Sequence, residues 1–223
     1  MTTLPVAATL VLLRDGSDGD VEVLLVKRPH SGSFANAWVF PGGRVEPEDR
    51  DGIDPDDELG AARRAAVRET AEETGLAVPV GSLAHLSVWL PPIEAPARFH
   101  TWFFLALAPD GEVAVDGGEL VDLAWLAPSE ALARHGRGEM ELAAPTFVTL
   151  HGLGRHRRAA DVVARTASEA PRHFESRFVP VGDVPIVVWD GDVAYDDVTL
   201  VDADGGRHRL VRSGLPWSYE RRP

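Results

Sequence analysis

The residues best suited to chemistry are three glutamates, Glu69, Glu72 and Glu73, within residues 61–74. This stretch has no glycine or proline and is rich in Ala, Glu and Arg, so it predicts a helix, which Gly75 would end in a left-handed conformation. At about 100° per residue, the three carboxylates share an arc of about 100° on that helix. Like charges so close together repel one another, and a hard cation such as Mg²⁺ or Mn²⁺ among the oxygens would relieve the repulsion.

The residue next to these glutamates, Arg68, would help to position them. Arg68 lies one turn before Glu72, within reach of an i,i+4 ion pair that would fix that carboxylate. A solvated acidic helix face is the plainer interpretation of the glutamates alone, but the order of the residues and the preceding Phe-Pro-Gly-Gly at 40–43 favour a built site. The opposite side of the helix, which could pack on a sheet, carries Val67, Thr70, Ala71 and Thr74.

This motif resembles the Nudix box, whose pattern is G-x5-E-x7-R-E-U-x-E-E-x-G-U, with U an apolar residue. Gly43 matches the first position of the pattern. The later positions are matched by Arg68, Glu69, Glu72, Glu73, Gly75 and Leu76. The chain departs from the pattern in three ways: Asp49 replaces the first glutamate, 18 residues (50–67) separate Asp49 from Arg68 instead of seven, and Thr70 occupies an apolar position.

The long insert within the box resembles that of a subgroup that includes peroxisomal coenzyme A diphosphatase. Residues 38–43 are similar to that subgroup's entry to the box, and residues 90–92 followed by 98–104 are similar to its central strand. His100 and Trp102 differ from the Asp and Arg of the subgroup at those positions.

The resemblance covers roughly residues 4–160 and implies an α/β fold. We expect a Nudix-type α/β/α sandwich around a mixed sheet in residues 1–170, with the box at 43–76 and an acidic insert at 46–58. A β-rich extension of open role would occupy residues 171–223. The implied reaction is hydrolysis of a nucleoside diphosphate linked to another group, in which water attacks one phosphorus of the pyrophosphate and a phosphate ester leaves.

The resemblance also implies roles for individual residues. The expected ligands of Mg²⁺ or Mn²⁺ are Glu69, Glu72, Glu73 and the carbonyl of Gly42, and Arg68 would orient its neighbours. The general base is open between Glu119, Glu94 and a box glutamate acting through water, and Glu119 could equally be a plain loop carboxylate. The candidate substrate-binding residues are Arg28, Phe40 and Gly43, and Arg28 could instead be an exposed structural arginine.

Several functions stay open at this point. Coenzyme A or its thioesters are the most specific substrates that the subgroup resemblance implies, but ADP-ribose, dinucleotides and other nucleoside diphosphate derivatives fit the same box. A non-catalytic module that binds a nucleotide or a protein partner is a different class of function. The retention of all four charged box residues argues against such a module, whereas Asp49 and the stretched gap favour it slightly.

The composition limits these functions. The chain has 223 residues, 44% hydrophobic and 26% charged, as expected for one globular domain with a small appendage. It has no cysteine, which excludes disulfides, thiolate metal sites and a cysteine nucleophile. The formal charge is −13, of which residues 46–58 supply −7. This charge argues against a nucleic-acid partner and means that an anionic substrate needs cations at the site.

No apolar run approaches the ~18 residues of a membrane helix, and the first five residues lack the basic start of a secretory signal. We therefore expect a cytoplasmic protein without a membrane partner.

The remaining elements follow from periodicity and turn residues. The predicted strands are 6–13 and 21–27, which form a hairpin, then 80–90, 99–108 and 119–125, and in the extension 186–189, 198–201 and 208–211. The predicted helices besides the box helix are 128–135, 145–152 and 155–168. Asp56 or Asp57 would cap the box helix, and residues 91–96 would be a loop at the rim of the site. The extension could lengthen the sheet, cover an edge or form a homodimer contact.

Overall fold

The computed structural model describes residues 4–30, 34–111, 113, 120–154, 156–183 and 186–223. The elements in chain order are β1 (Val6–Asp15), β2 (Val21–Lys27), β3 (Trp38–Val39), β4 (Gly42–Arg44), α1 (Glu58–Thr74), β5 (Ala84–Leu90), β6 (His100–Leu107), β7 (Asp122–Leu126), α2 (Pro128–Gly136), α3 (Ala144–Leu153), α4 (Ala159–Ser168), β8 (Arg172–Glu175), β9 (Arg177–Val179), β10 (Ile186–Val188), β11 (Arg207–Val211) and β12 (Ser218–Arg222). Within these described ranges, no helix has the length and apolar character needed to cross a membrane.

The larger sheet is mixed, as expected, and β1 lies at its centre. Its strand order is β3-β2-β1-β6-β5-β8, with β4 also paired to β1 and β7 to β2. β1 runs parallel to β6 along its length and antiparallel to both β2 and β4. The pairing with β4 joins Thr9 to Gly42 and Ala8 to Gly43, so it fixes the glycines of the box against the central strand.

Helices cover both faces of this sheet. Successive side chains of a strand point to opposite faces, so Leu10 and Leu12 of β1 pack with the alanines of α1, whereas Val11 and Leu13 pack in the core that includes residues of α2, α3 and α4. This arrangement confirms the α/β/α sandwich.

The box helix α1 begins and ends at the predicted signals. Asp57 caps its first turn by accepting the N–H of Gly60, and Gly75, with φ of +73°, ends it. The buried face is Ala61, Ala62, Ala65, Ala66, Thr70, Glu73 and Thr74. The expected sheet-facing side was therefore only partly right, because Ala71 is exposed and Glu73 belongs to the buried face.

Two predicted elements begin later than expected, and each has a side-chain cause. Residues 80–82 form a 3₁₀ turn in which the Ser82 hydroxyl donates to the carbonyl of Pro79 at 2.7 Å, so β5 starts only at residue 84. The N–H of Ala159 donates to Asp15 of the hairpin at 2.6 Å, so α4 begins there rather than at residue 155. The predicted strand from residue 119 is observed as β7, and Glu119 itself lies outside the described residues.

The extension both lengthens the sheet and forms a second one. β8 adds to the edge strand β5 in parallel, and β9 to β12 form an antiparallel sheet of order β12-β11-β10-β9. The predicted strand at 198–201 is wrong: the Asp197 carboxylate accepts both the N–H and the hydroxyl of Thr199 and caps a 3₁₀ turn. Strands β8, β9 and β12 were not predicted.

Aromatic contacts tie the extension to the rest of the chain. The ring of Phe174 on β8 stacks on Trp89 of β5 at 3.9 Å, and Trp189 meets both rings nearly at right angles. Trp217, before β12, packs against His135 of α2 and Phe147 of α3. The extension is therefore part of the same hydrophobic core as the sandwich.

Candidate active site

The loop that joins β3 to β4 passes so close to β1 that only glycine fits at its turn. Gly42 has φ of +152°, and a Cβ at this position would overlap the carbonyl oxygen of Ala8. The N–H of Gly42 donates to Oε2 of Glu73 at 3.0 Å. The close approach thus places the backbone of the loop directly on the last glutamate of the box.

Glu73 is held on its other side by an arginine. Its side chain is only 1% exposed, and its Oε1 lies 2.8 Å from Nη1 of Arg28, the residue that follows β2. The other terminal nitrogen of Arg28 donates to the carbonyl oxygen of Gly42. Arg28 is therefore a partly buried partner of the box and not the exposed structural arginine that the sequence left open.

Arg68 is the second organising cation. It makes a two-pronged pair with Asp49, whose side chain is 4% exposed, at 3.1 Å from Nε and 2.9 Å from Nη2. Nη2 also donates to the carbonyl of Arg44. The hydrogen bonds that Arg68 donates to Asp49 are the main reason why the pKa of Arg68 lies above its ordinary value. The acidic insert, predicted as an exposed loop, thus contributes a 3₁₀ turn (Pro47–Arg50) that carries a buried carboxylate.

The remaining terminal nitrogen of Arg68 brings two glutamates together. Its Nη1 lies 3.1 Å from Oε1 of Glu69 and 3.0 Å from Oε2 of Glu72, which confirms the predicted i,i+4 pair. Burial is the main cause that raises the pKa of Glu69. Gly43 makes room for this carboxylate, because a Cβ at residue 43 would overlap it. Glu72 is mostly exposed, so the pair opens to solvent.

These residues can be tested against a divalent metal. In the described part of the chain, no three His, Cys, Asp or Glu side chains are grouped as ready metal ligands. Glu69 and Glu72 nevertheless present oxygens to a single cationic nitrogen, and hard cations such as Mg²⁺ are commonly held by one or two carboxylates together with water and substrate phosphates. The donor set therefore fits Mg²⁺ or Mn²⁺ in type and charge.

The other candidates lie elsewhere. The side chain of Phe40 is 1% exposed and meets Phe103 edge-on in the core, so a substrate contact at this residue would have to come from its backbone. Glu94 is exposed in the loop between β5 and β6. Glu119 lies outside the described residues, and its role stays a prediction.

Sequence reasoning missed several contacts of the box helix α1. The pairing of Arg28 with Glu73 joins residues far apart in the chain, and no spacing rule could have found it. Glu58, in the first turn of α1, lies 2.7 Å from Nδ1 of His100 and accepts the indole N–H of Trp102 at 2.8 Å. The signal for this second contact was present, because His100 and Trp102 depart together from the subgroup pattern.

Comparison with known proteins identifies the family of this chain. The family model for the NUDIX domain matches residues 3–146. A CTP pyrophosphohydrolase of Escherichia coli (strain K12) is 31% identical over 125 residues, which cover 55% of this chain and 75% of that protein.

Solved structures agree as well. The crystal structure of a NUDIX hydrolase from Alicyclobacillus acidocaldarius is 28% identical with a TM-score of 0.66, covering 74% of this chain and 97% of that one. The MutT NUDIX hydrolase from Burkholderia pseudomallei is 26% identical with a TM-score of 0.50, covering 67% and 98%. None of these three names specifies a coenzyme A diphosphatase, so the resemblance to that subgroup stays a prediction. The chain belongs to the NUDIX family, and it is a hydrolase that acts on phosphoric anhydrides.

Proposed function

We propose that this chain hydrolyses the pyrophosphate linkage of a nucleoside triphosphate, with Mg²⁺ or Mn²⁺ as cofactor, to a nucleoside monophosphate and pyrophosphate. The observation that carries the proposal is that one nitrogen of Arg68, Nη1, pairs with the carboxylates of both Glu69 and Glu72. Two carboxylates kept together on an open surface suit a metal that also binds phosphate oxygens. The choice of a nucleoside triphosphate is favoured by the CTP pyrophosphohydrolase relative.

The residues of the chain have distinct parts in this mechanism. Asp49 fixes the guanidinium of Arg68, which in turn sets the positions of Glu69 and Glu72. In the metal-free chain, Gly42 and Arg28 fix Glu73, the third predicted ligand. When bound, the metal would neutralise phosphate charge and make water more acidic. Because phosphoryl transfer depends mainly on positioning and charge neutralisation, a rigid set of carboxylates is what the reaction needs.

A second candidate substrate is coenzyme A or one of its thioesters. It rests on the long insert and on Leu90-Pro91-Pro92 before β6. Against it stand His100 and Trp102, which are both engaged with Glu58 where the subgroup has Asp and Arg. ADP-ribose and dinucleotides carry the same pyrophosphate group and belong in the same test.

The experiment is a product analysis by mass-resolved chromatography. CTP, other nucleoside triphosphates, coenzyme A, acetyl-coenzyme A, ADP-ribose and NADH are each incubated with the protein and Mg²⁺ or Mn²⁺. We expect metal-dependent release of CMP and pyrophosphate from CTP. Release of 3′,5′-ADP and 4′-phosphopantetheine instead would replace the substrate by coenzyme A. Binding of a nucleotide with cleavage of none of these compounds would replace the proposal by the non-catalytic module.

The proton acceptor can be assigned in the same assay. Glu94→Gln and Glu119→Gln each remove one candidate, and full activity in both variants would leave a box glutamate acting through water. A general base contributes about 10²- to 10⁴-fold to a rate, so the variant that lacks it should lose about that factor in kcat with a smaller change in KM.

A further inference from the structure

Arg28 contacts oxygens of two kinds that divalent cations also bind. Its guanidinium pairs with Oε1 of Glu73 at 2.8 Å and donates to the carbonyl oxygen of Gly42. Carboxylate and backbone carbonyl oxygens are typical ligands of hard cations. The resemblance to the Nudix box implies the same two groups as metal ligands.

The surroundings make this contact exclusive. The carboxylate of Glu73 is buried, and its other oxygen is fixed by the N–H of Gly42, so turning the carboxylate away would break that hydrogen bond. Gly42 itself is pressed against β1 and has little freedom to move. A cation that approaches Oε1 of Glu73 or the carbonyl of Gly42 therefore competes with the guanidinium of Arg28 for these oxygens.

Arg68 differs from Arg28 in this respect. Arg68 is anchored by its two-pronged pair with the buried Asp49, which is not one of the predicted metal ligands. In the described part of the chain, the side-chain hydrogen bonds and ion pairs of Arg28 go to Glu73 and Gly42. Arg28 is thus the arginine that can leave when those oxygens gain another cation.

We infer that Arg28 is the internal counter-ion of the site: it holds Glu73 and the Gly42 carbonyl in the metal-free chain and gives them up when a divalent cation binds. This inference rests on the proposed function, because it takes these oxygens as metal ligands. Arg28 is a positioning residue in the metal-free protein. Once released, its guanidinium is a free positive charge beside the site, in a chain of net charge −13 that must attract an anionic substrate.

The displacement of Arg28 by a metal should lower the apparent affinity for that metal by a measurable factor. A metal that binds only after Arg28 has left has an apparent affinity reduced by the fraction of molecules in which the guanidinium is away. If that fraction is about one tenth, removing the charge should tighten metal binding about tenfold. The metal-free variant should at the same time be less stable, because the buried carboxylate of Glu73 loses its counter-ion.

The test is a titration with Mn²⁺, followed by the electron paramagnetic resonance signal of the free ion. We expect Arg28→Gln to bind Mn²⁺ about tenfold more tightly than the wild type, and Arg28→Lys to stay within about threefold of it, because lysine keeps the charge. Arg14→Gln is the matched control, since Arg14 pairs with Glu22 on the surface of the hairpin, and it should bind Mn²⁺ as the wild type does. Equal or weaker binding by Arg28→Gln, or no Mn²⁺ binding by any form, would overturn the inference.

A second measurement does not depend on the folding of a variant. In wild-type protein with ¹⁵N-labelled arginine, Mg²⁺ should shift the Arg28 side-chain resonances and speed exchange of their protons with water. Arg28 resonances that stay unchanged while Mg²⁺ binds would contradict the exchange. Both measurements are made without substrate, so a failure to cleave nucleotides would affect the proposed function and leave this result readable.

Discussion

Within the described residues, a cluster of arginine and carboxylate in the extension can be compared with the cluster in the box, and the two differ in how their charges balance. In the extension, Asp192 pairs with Arg209 through two hydrogen bonds of 2.6 and 2.7 Å and also accepts the N–H groups of Ala194 and His208. Burial alone would raise the pKa of Asp192, but the hydrogen bonds from Arg209 and the two N–H groups outweigh it, and the pKa lies below its ordinary value. One carboxylate is matched by one guanidinium.

The box cluster is not balanced in this way. It contains two guanidinium groups, those of Arg28 and Arg68, which pair with four carboxylates. These are the side chains of Asp49, Glu69, Glu72 and Glu73. Burial here raises the pKa of Glu69, the opposite of the shift at Asp192. A structural pair satisfies its charges within the protein, whereas the box cluster keeps a surplus of negative charge that a cation from solution can neutralise. From this surplus we expect the box to be the functional cluster of the two.

The largest expected effect comes from removing a charge from the box. Glu73→Gln should lower turnover by about two to three orders of magnitude, because a neutral amide oxygen binds a divalent cation more weakly than a charged carboxylate does. The amide oxygen can still accept the N–H of Gly42, so the fold should persist. Turnover in the product assay, with far-ultraviolet circular dichroism as the check on folding, measures both.

The matched control for that variant is Glu139→Gln, which removes an exposed carboxylate paired with Arg137 outside the box. It should leave turnover unchanged. Normal turnover in Glu73→Gln, or an equal loss in the control, would refute the assignment of Glu73 to the functional cluster.

Loss of the Asp192 carboxylate in the extension should lower the stability of the protein and leave its turnover unchanged. Asp192→Ala leaves Arg209 buried without a counter-ion, which should lower the free energy of unfolding by about 3–5 kcal/mol. Turnover of the protein that stays folded should be unaffected. Urea denaturation measures the loss, and Asp196→Ala, which breaks the exposed pair with Arg177, should change stability by no more than about 0.5 kcal/mol. A loss in Asp192→Ala no greater than in Asp196→Ala would contradict the structural role of the pair.

The smallest expected effect is a dependence of stability on pH that comes from the contacts of the extension. Burial lowers the pKa of His135, which packs on Trp217, and of His208, which packs on Trp189. Both bind protons less readily in the folded chain than in the unfolded chain, in which histidines take up protons below about pH 6.5. As the pH is lowered below that value, the free energy of unfolding should therefore decrease, by up to about 1.4 kcal/mol per pH unit for each histidine.

Urea denaturation at pH 7.5, 6.5 and 5.5 measures this dependence. His135→Gln should show a shallower loss between pH 6.5 and 5.5 than the wild type, because one of the two groups no longer titrates. The same slope in both proteins would exclude His135 as a source of the acid sensitivity.

Much of this architecture could be predicted because its signals are local. The hairpin, the box helix with its Asp57 cap and its end at Gly75, and the pair of Arg68 with Glu72 all depend on residues within a few positions of one another. The strand β8 could not be predicted in this way. It is four residues long, and its apolar and polar side chains do not clearly alternate. Its place in the sheet depends on the ring of Phe174, which stacks on Trp89, a residue far away in the chain.

The same limit applies to the site. The glutamates and their likeness to the Nudix box identified the family, but the partner of Glu73 depends on how β2 and α1 meet across the sheet. The orientation of α1 was also misjudged on its buried side, because a helical wheel gives the angles between side chains and not the face that the sheet will cover.

The measurement that tests the central claim most directly is the hydrolysis of CTP in ¹⁸O-labelled water by metal-stripped wild-type protein, before and after Mg²⁺ is added. The account predicts no products without metal, and CMP and pyrophosphate with Mg²⁺, with one ¹⁸O atom carried by one of the two products. Release of the same products at the same rate without metal, or no cleavage of CTP or any other pyrophosphate compound with Mg²⁺ present, would contradict it.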